Sequence, residues 1–206
     1  MTPRQATAVT ALASSSGTSD GFVGLLDFLG VSQAITAGQP TNWESRPTAM
    51  ALATAGQLPV FADDFASLAA LSNGSVDFHR TVILPVEAKR EVKVFQESAA
   101  QVQMVKFRNQ KVSLEVESAS PSLVVCCQSY SPAWRAYVDG RATRIWRANY
   151  AFQAVEVEAG RHTVDLVYRD STFSAGAVLS FAGVVLWLVI ALIPSKPQTP
   201  SAHQAI

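Results

Sequence analysis

A chain of 206 residues is long enough for one or two domains with real hydrophobic cores. Its 16 basic and 16 acidic residues cancel, and no cluster of Lys and Arg supplies the footprint that phosphate backbones require, so no nucleic acid partner is expected. Charged residues make up 16%, below the ~25% of soluble domains, and mean hydropathy is +0.18, an excess with one C-terminal source.

The first segment, residues 1–20, is rich in Ala, Ser and Thr, lacks the apolar core of a signal peptide and is expected to be disordered. Residues 21–90 predict a small α/β segment. Asp20 can cap a short helix over 21–29 that Gly30 ends. "VSQAIT" alternates weakly like a strand, and Pro47 is placed in a first helical turn of the mixed stretch 43–54. "LPVF" (58–61) and "TVILP" (81–85) read as strands. Between them "DDFASLAALSNG" carries an Asp63 cap, apolar Phe65, Leu68, Ala69 and Leu71, and a stop at Asn73-Gly74.

From about residue 91 the apolar period becomes two, and residues 91–170 predict an antiparallel β-sandwich, jelly-roll-like, so the fold class is mainly β. "VQMVKF" turns near Asn109 into "KVSLEVE", which puts Val112, Leu114 and Val116 on one face and Ser113, Glu115 and Glu117 on the other. "SLVVCCQS" is apolar on both faces, as a central strand should be. "WRAYV" meets "RATRIWR" across Asp139-Gly140, a strong two-residue hairpin signal. "YAFQAVEVE" is expected to meet "RHTVDLVYR" across Ala159-Gly160. Adjacent Cys126 and Cys127 point to opposite faces of a strand, so a disulfide between them is geometrically poor.

Trp134, Ala136 and Val138 share one strand face, which makes Trp134 a core anchor. Tyr137, Trp146 and Tyr150, with Arg135, Arg144 and Arg147 beside them, are the candidate glycan or interface contacts. With Ile145 inward, Trp146 falls outside, where it would either stack on a sugar or anchor at a membrane interface. Asp139 reads as a turn residue. No catalytic constellation, metal set or cofactor motif emerges: His79, His162 and His203 are scattered, helix capping accounts for Asp63-Asp64, and a turn accounts for Asn73-Gly74-Ser75.

Residues 173–193, "FSAGAVLSFAGVVLWLVIALI", carry no charge. At 1.5 Å per residue they reach about 30 Å, the thickness of a bilayer core, and no polar face interrupts them. This predicts one transmembrane helix ended by Pro194, with a short polar tail over 194–206. Gly176, Ser180 and Gly183 offer small residues for packing on another helix, and plain lipid exposure is the alternative. Only Asp170 to Thr172 separate the last strand from the span, so the sandwich is expected close to the bilayer. A lone C-terminal anchor with no upstream signal would keep the domain in the cytoplasm, whereas Lys196 in the tail agrees weakly with a cytoplasmic C-terminus and an extracytoplasmic domain.

The order of motifs from Tyr130 to Ser180 resembles the C-terminal segment of the YfhO-like family of bacterial polytopic membrane proteins. The resemblance rests on Tyr130, Pro132 and Trp134, on the Asp139-Gly140 turn, on Arg147, Ala148 and Asn149, and on Ala159, Gly160 and His162. A Gly usual before the Trp is Ala133 here. "LLDFLGV" and "LPVF…DDFASLAAL…VILP" resemble the preceding segment more loosely. The family resembles membrane glycosyltransferases that use lipid-linked sugars at the outer face. The resemblance therefore implies an extracytoplasmic sandwich in the bacterial cell envelope, with Met1 an internal or misassigned start. The family's acidic catalytic loop lies upstream of the matched region, so this chain alone is not expected to be an enzyme. Its expected partners are the lipid bilayer, upstream transmembrane helices, and an envelope glycan or lipid-linked sugar. The rival expectation is a free-standing, single-span glycan-binding or purely structural module.

Overall fold

The computed structural model describes residues 24, 26–35 and 43–192. The start expected to be disordered, the expected Asp20 cap, His203 and the tail over 194–206 fall outside them. The chain divides into two units, one ending at Arg169 and one beginning at Asp170.

The first unit is mainly β. It opens with the antiparallel pair β1 (Gln33–Ile35) and β2 (Trp43–Ser45). Pro47 lies in a turn rather than a helix. Next come β3 (Ala53–Ala55) and β4 (Leu58–Ala62), then α1 (Asp64–Asn73) and β5 (Thr81–Pro85). Asp63 caps α1 by accepting from Ala66 N at 2.8 Å, and Gly74 ends it at φ 60, a left-handed stop that glycine adopts without a Cβ penalty. Strands β4 and β5 pair in parallel with α1 between them. A 3-10 turn over Val86–Arg90 follows.

The sandwich strands are β6 (Ala100–Arg108), β7 (Lys111–Ser118), β8 (Ser122–Cys126), β9 (Trp134–Val138), β10 (Arg141–Thr143), β11 (Trp146–Ala148), β12 (Phe152–Val157) and β13 (Gly160–Tyr168). They form a five-stranded sheet in the order β10-β9-β13-β7-β6 and a four-stranded sheet in the order β11-β12-β8-β3. Two departures from the sequence expectation concern connectivity. Strand β3 belongs to the sandwich, paired antiparallel with β8. Ala159-Gly160 does not close a hairpin: β12 pairs with β11 and β8, while β13 pairs with β7 and β9. Gly160, at φ 120, carries the chain from one sheet to the other, a backbone state that only glycine enters cheaply.

The four-stranded sheet is covered on both faces. On one side Val124, Cys126, Val155 and Val157 meet Val112, Leu114, Val116, Val164 and Leu166 of the five-stranded sheet. On the other, Leu123, Val125, Trp146, Ala148 and Ala154 meet Val82, Leu84, Ala88, Val92 and Val94. A third cluster gathers Phe28, Met50, Leu71, Phe78, Ile83, Ala151 and Phe152. The unit is thus a sandwich with an α/β layer laid over its smaller sheet, which is why β8 is apolar on both faces.

The second unit is α2 (Ser171–Leu192). Asp170 starts it, accepting from Thr172 N at 2.9 Å and Phe173 N at 3.1 Å. None of its residues is buried, and its 22 residues, with an 18-residue stretch of mean hydropathy 2.4, are long and apolar enough to cross a membrane.

Candidate functional site

The structure sorts the sequence candidates into three places. Trp134 lies inside, edge-on to Tyr168 with ring centroids 5.4 Å apart. Trp146 corrects the expectation that it faces out. It is 6% exposed and sits in the core beneath the α/β layer, while Ile145 packs against the core between the sheets. Neighbouring strand residues still point to opposite faces, but here each face has a core of its own.

The arginines beside it are engaged. The Arg144 guanidinium lies 4.0 Å from the Trp146 ring centroid and pairs with Glu91. Arg147 pairs with Asp64 at the start of α1 and lies 5.8 Å from the Tyr150 ring. Tyr150, at φ 69, packs against the third cluster. Asn149 is 1% exposed and sits at φ 47. Its Oδ1 accepts from Ile83 N at 2.7 Å, and its own N donates to Ile83 O at 2.7 Å. It thereby offers β5 a donor and an acceptor, as a strand would. The Arg147-Ala148-Asn149 run is a joint. The arginine holds α1, the alanine lies flush in the core, and the asparagine holds β5.

Asp139 and His162 belong to turns read separately in the sequence, and the pairing of β13 with β9 brings them together. His162 Nδ1 lies 2.7 Å from Asp139 Oδ2, and Asp139 Oδ1 accepts from Thr163 N at 2.8 Å. The Asp139 hydrogen bond raises the His162 pKa above its ordinary value, against the pull of burial. The same bond, with that from Thr163, lowers Asp139. His162 Nε2 is buried without a partner of hydrogen-bonding geometry, although the Ala159 carbonyl also favours the protonated ring. This pair clamps one end of the five-stranded sheet. Nothing in the spacing of Asp139 and His162 announced it, because the contact spans two connections. Burial pushes the Cys126 thiol up to about 11 and Cys127 up to about 12, which leaves both unreactive.

At the opposite end of the same sheet an open groove of about 350 Å³ is lined by Tyr130, Pro132, Trp134, Arg135, Arg144 and Ile145 among others. Arg135 is exposed and donates to Pro132 O at 2.6 Å. Tyr137 follows on the same outer face, half-buried. Arg169 N donates to Ala133 O at 2.8 Å, so this is the strand end from which the chain leaves toward α2. A smaller cavity of about 130 Å³ lies in the α/β layer against Phe28, Met50, Leu71 and Phe78. Among the described residues no group of His, Cys, Asp and Glu could hold a metal ion.

Chemically, the groove offers the exposed Arg135 guanidinium and the Tyr130 phenol beside an apolar wall, with Arg144 held by Glu91 at its edge, a composition that suits an anion joined to a hydroxylated or apolar body. No curated protein and no solved structure matches the chain. A family model described as bacterial membrane protein YfhO matches residues 66–180, from within α1 into α2. With more than half of its length inside that match, the chain belongs to the YfhO family of bacterial membrane proteins.

Proposed function

We propose that the sandwich is an extracytoplasmic domain that supports transfer of lipid-linked sugars to a cell-envelope acceptor, its part being recognition rather than bond-making. The observation that carries this reading is the groove between Tyr130, Arg135 and Arg144. It lies at the strand end that continues into the apolar helix. A sugar joined through phosphate to a lipid presents its anion at headgroup depth, and the Arg135 guanidinium suits that anion. Membership of a membrane protein family supports the reading. The broad aromatic platform open to the sequence contracts, since Trp146 is buried and Tyr150 is packed.

The test is a titration of the full chain in detergent micelles with a polyprenyl-phosphate-linked hexose, followed by the emission of its four tryptophans, of which Trp134 lies in the groove wall. Saturable quenching that disappears in Arg135→Glu supports the proposal. A flat titration, or quenching equal to that by the same lipid phosphate without its sugar, overturns it.

A further inference from the structure

The outer face of the five-stranded sheet is graded in charge along its strands. Register places Arg108 opposite Lys111, Lys111 opposite Val167, and Val167 opposite Arg135. Directly paired residues share a face, so these side chains form one row across β6, β7, β13 and β9. Lys106 stands one row further in, opposite Ser113, and Arg169 lies one residue past the end of β13. Lys106, Arg108, Arg135 and Arg169 are exposed. Phe107, at the same end of edge strand β6, is 57% exposed.

The acidic groups at this end are already used. Asp165 pairs with Lys111 at 3.0 Å, and Asp170 caps α2. Among the described residues Lys106, Arg108 and Arg169 have no acidic partner. The other end of the sheet holds Glu115, Glu117, Asp139 and Glu158 against Arg141 and Arg161, the latter paired with Glu115, and so stays acidic on balance.

We propose that this basic strand end is a docking surface for anionic lipid headgroups, lying wholly within the first unit. The argument is covalent and electrostatic. Only Asp170 separates Arg169 from Ser171, so their Cα atoms lie within about 8 Å of each other. A helix that spans the bilayer from Ser171 therefore holds Arg169 at headgroup depth. Strands about 4.8 Å apart set Lys111, Arg108 and Arg135 beside it. Cations and an exposed aromatic ring are the side chains that settle at this depth, and each basic residue near an anionic surface strengthens binding by roughly fivefold. The proposal is independent of any sugar in the groove.

The experiment uses the full chain in lipid nanodiscs with an environment-sensitive fluorophore on Asn109→Cys, in the β6–β7 turn. The label favours the exposed turn, since Cys126 is buried and Cys127 half-buried, and burial raises both thiols. Phosphatidylcholine discs are compared with discs containing one-third phosphatidylglycerol. The expected result is a blue shift with phosphatidylglycerol alone, removed by 0.5 M NaCl. In Lys106→Glu/Arg108→Glu/Arg169→Glu the spectrum in phosphatidylglycerol discs falls back to that in phosphatidylcholine discs. Arg161→Glu, at the opposite end, leaves the response unchanged. Identical spectra in the two discs, or a shift that survives salt, overturns the proposal even if the triple variant fails to fold. So does reproduction of the shift by inorganic phosphate over phosphatidylcholine discs.

Discussion

The two faces of the four-stranded sheet are held by different means. Toward the five-stranded sheet the contact is apolar, made of valines, leucines, Cys126 and Trp134, and its strength comes from area removed from water. Toward the α/β layer the apolar contact is supplemented by directional bonds: Asn149 to Ile83, Arg147 to Asp64, Arg144 to Glu91, and Lys93 N to Glu156 at 2.9 Å. Area is tolerant of small displacements. Hydrogen bonds with fixed partners are not, so they set where the layer sits.

The substitution with the largest expected effect is Trp146→Ala, which should cost about 3–5 kcal/mol and separate the α/β layer from a sandwich that keeps its own core. Hydrogen exchange would show β4 and β5 losing protection while β7 and β13 keep it. Trp134→Ala should cost a similar ~3–5 kcal/mol but release both sheets together. Equal loss of protection everywhere in the two variants would dissolve the distinction between the faces.

Asn149→Ala should cost about 1–3 kcal/mol in urea unfolding, because Ile83 N–H is left buried without its acceptor. The strain of φ 47 in a residue that favours it less than Asn adds to this. Asn149→Gly relieves the strain and still loses the acceptor, so it should fall between Asn149→Ala and the native chain. Arg147→Ala is smaller. Asp64 is 64% exposed, and solvent screening holds such pairs to about 0–1 kcal/mol. A double-mutant cycle with Asp64→Ala measures it, and coupling well above that range would mean the pair, not Asn149, fixes the layer.

The smallest effect is a pH dependence at the far end of the sheet. His162 is raised above 6.5, so its contribution is full below about pH 6.5 and is lost as pH climbs through the folded value. Asp139 is lowered below 3.8, so its contribution is present above that and is lost as pH falls through the folded value. The difference in Tm between the native chain and Asp139→Asn should be widest between these limits and narrow on both sides. A difference constant from pH 4 to pH 9 would remove the ion pair.

What was legible in the sequence follows the same division. The alternation of Val112, Leu114 and Val116, the doubly apolar β8, the capped α1 and the uncharged span could be read directly, because burial leaves a local period. The position of Trp146 could not be. Its alternation with Ile145 was visible, but alternation does not say whether the second face meets water or another layer. The joint at Arg147-Ala148-Asn149 and the Asp139–His162 clamp were hidden for a different reason. Their partners are set by topology, and a single sequence carries no period for a contact between distant segments. The groove was half visible: Arg135 and Arg144 could be named as candidate contacts, but their meeting beside Tyr130 and Trp134 depends on the β9–β10 hairpin.

The joint also sets an order of events in the making of the molecule. Asn149 and Ile83 are 66 residues apart, and Arg147 and Asp64 are 83 apart. Until synthesis passes residue 149, the α/β layer lacks the bonds of the joint, and Val82, Leu84, Val92 and Val94 have only β8 and β3 of their sheet to cover them. Closing such long loops is slow, and uncovered apolar strands are prone to aggregate while they wait. The nascent amino-terminal third is therefore the stretch most in need of a chaperone, and its rescue depends on strands made late in the chain.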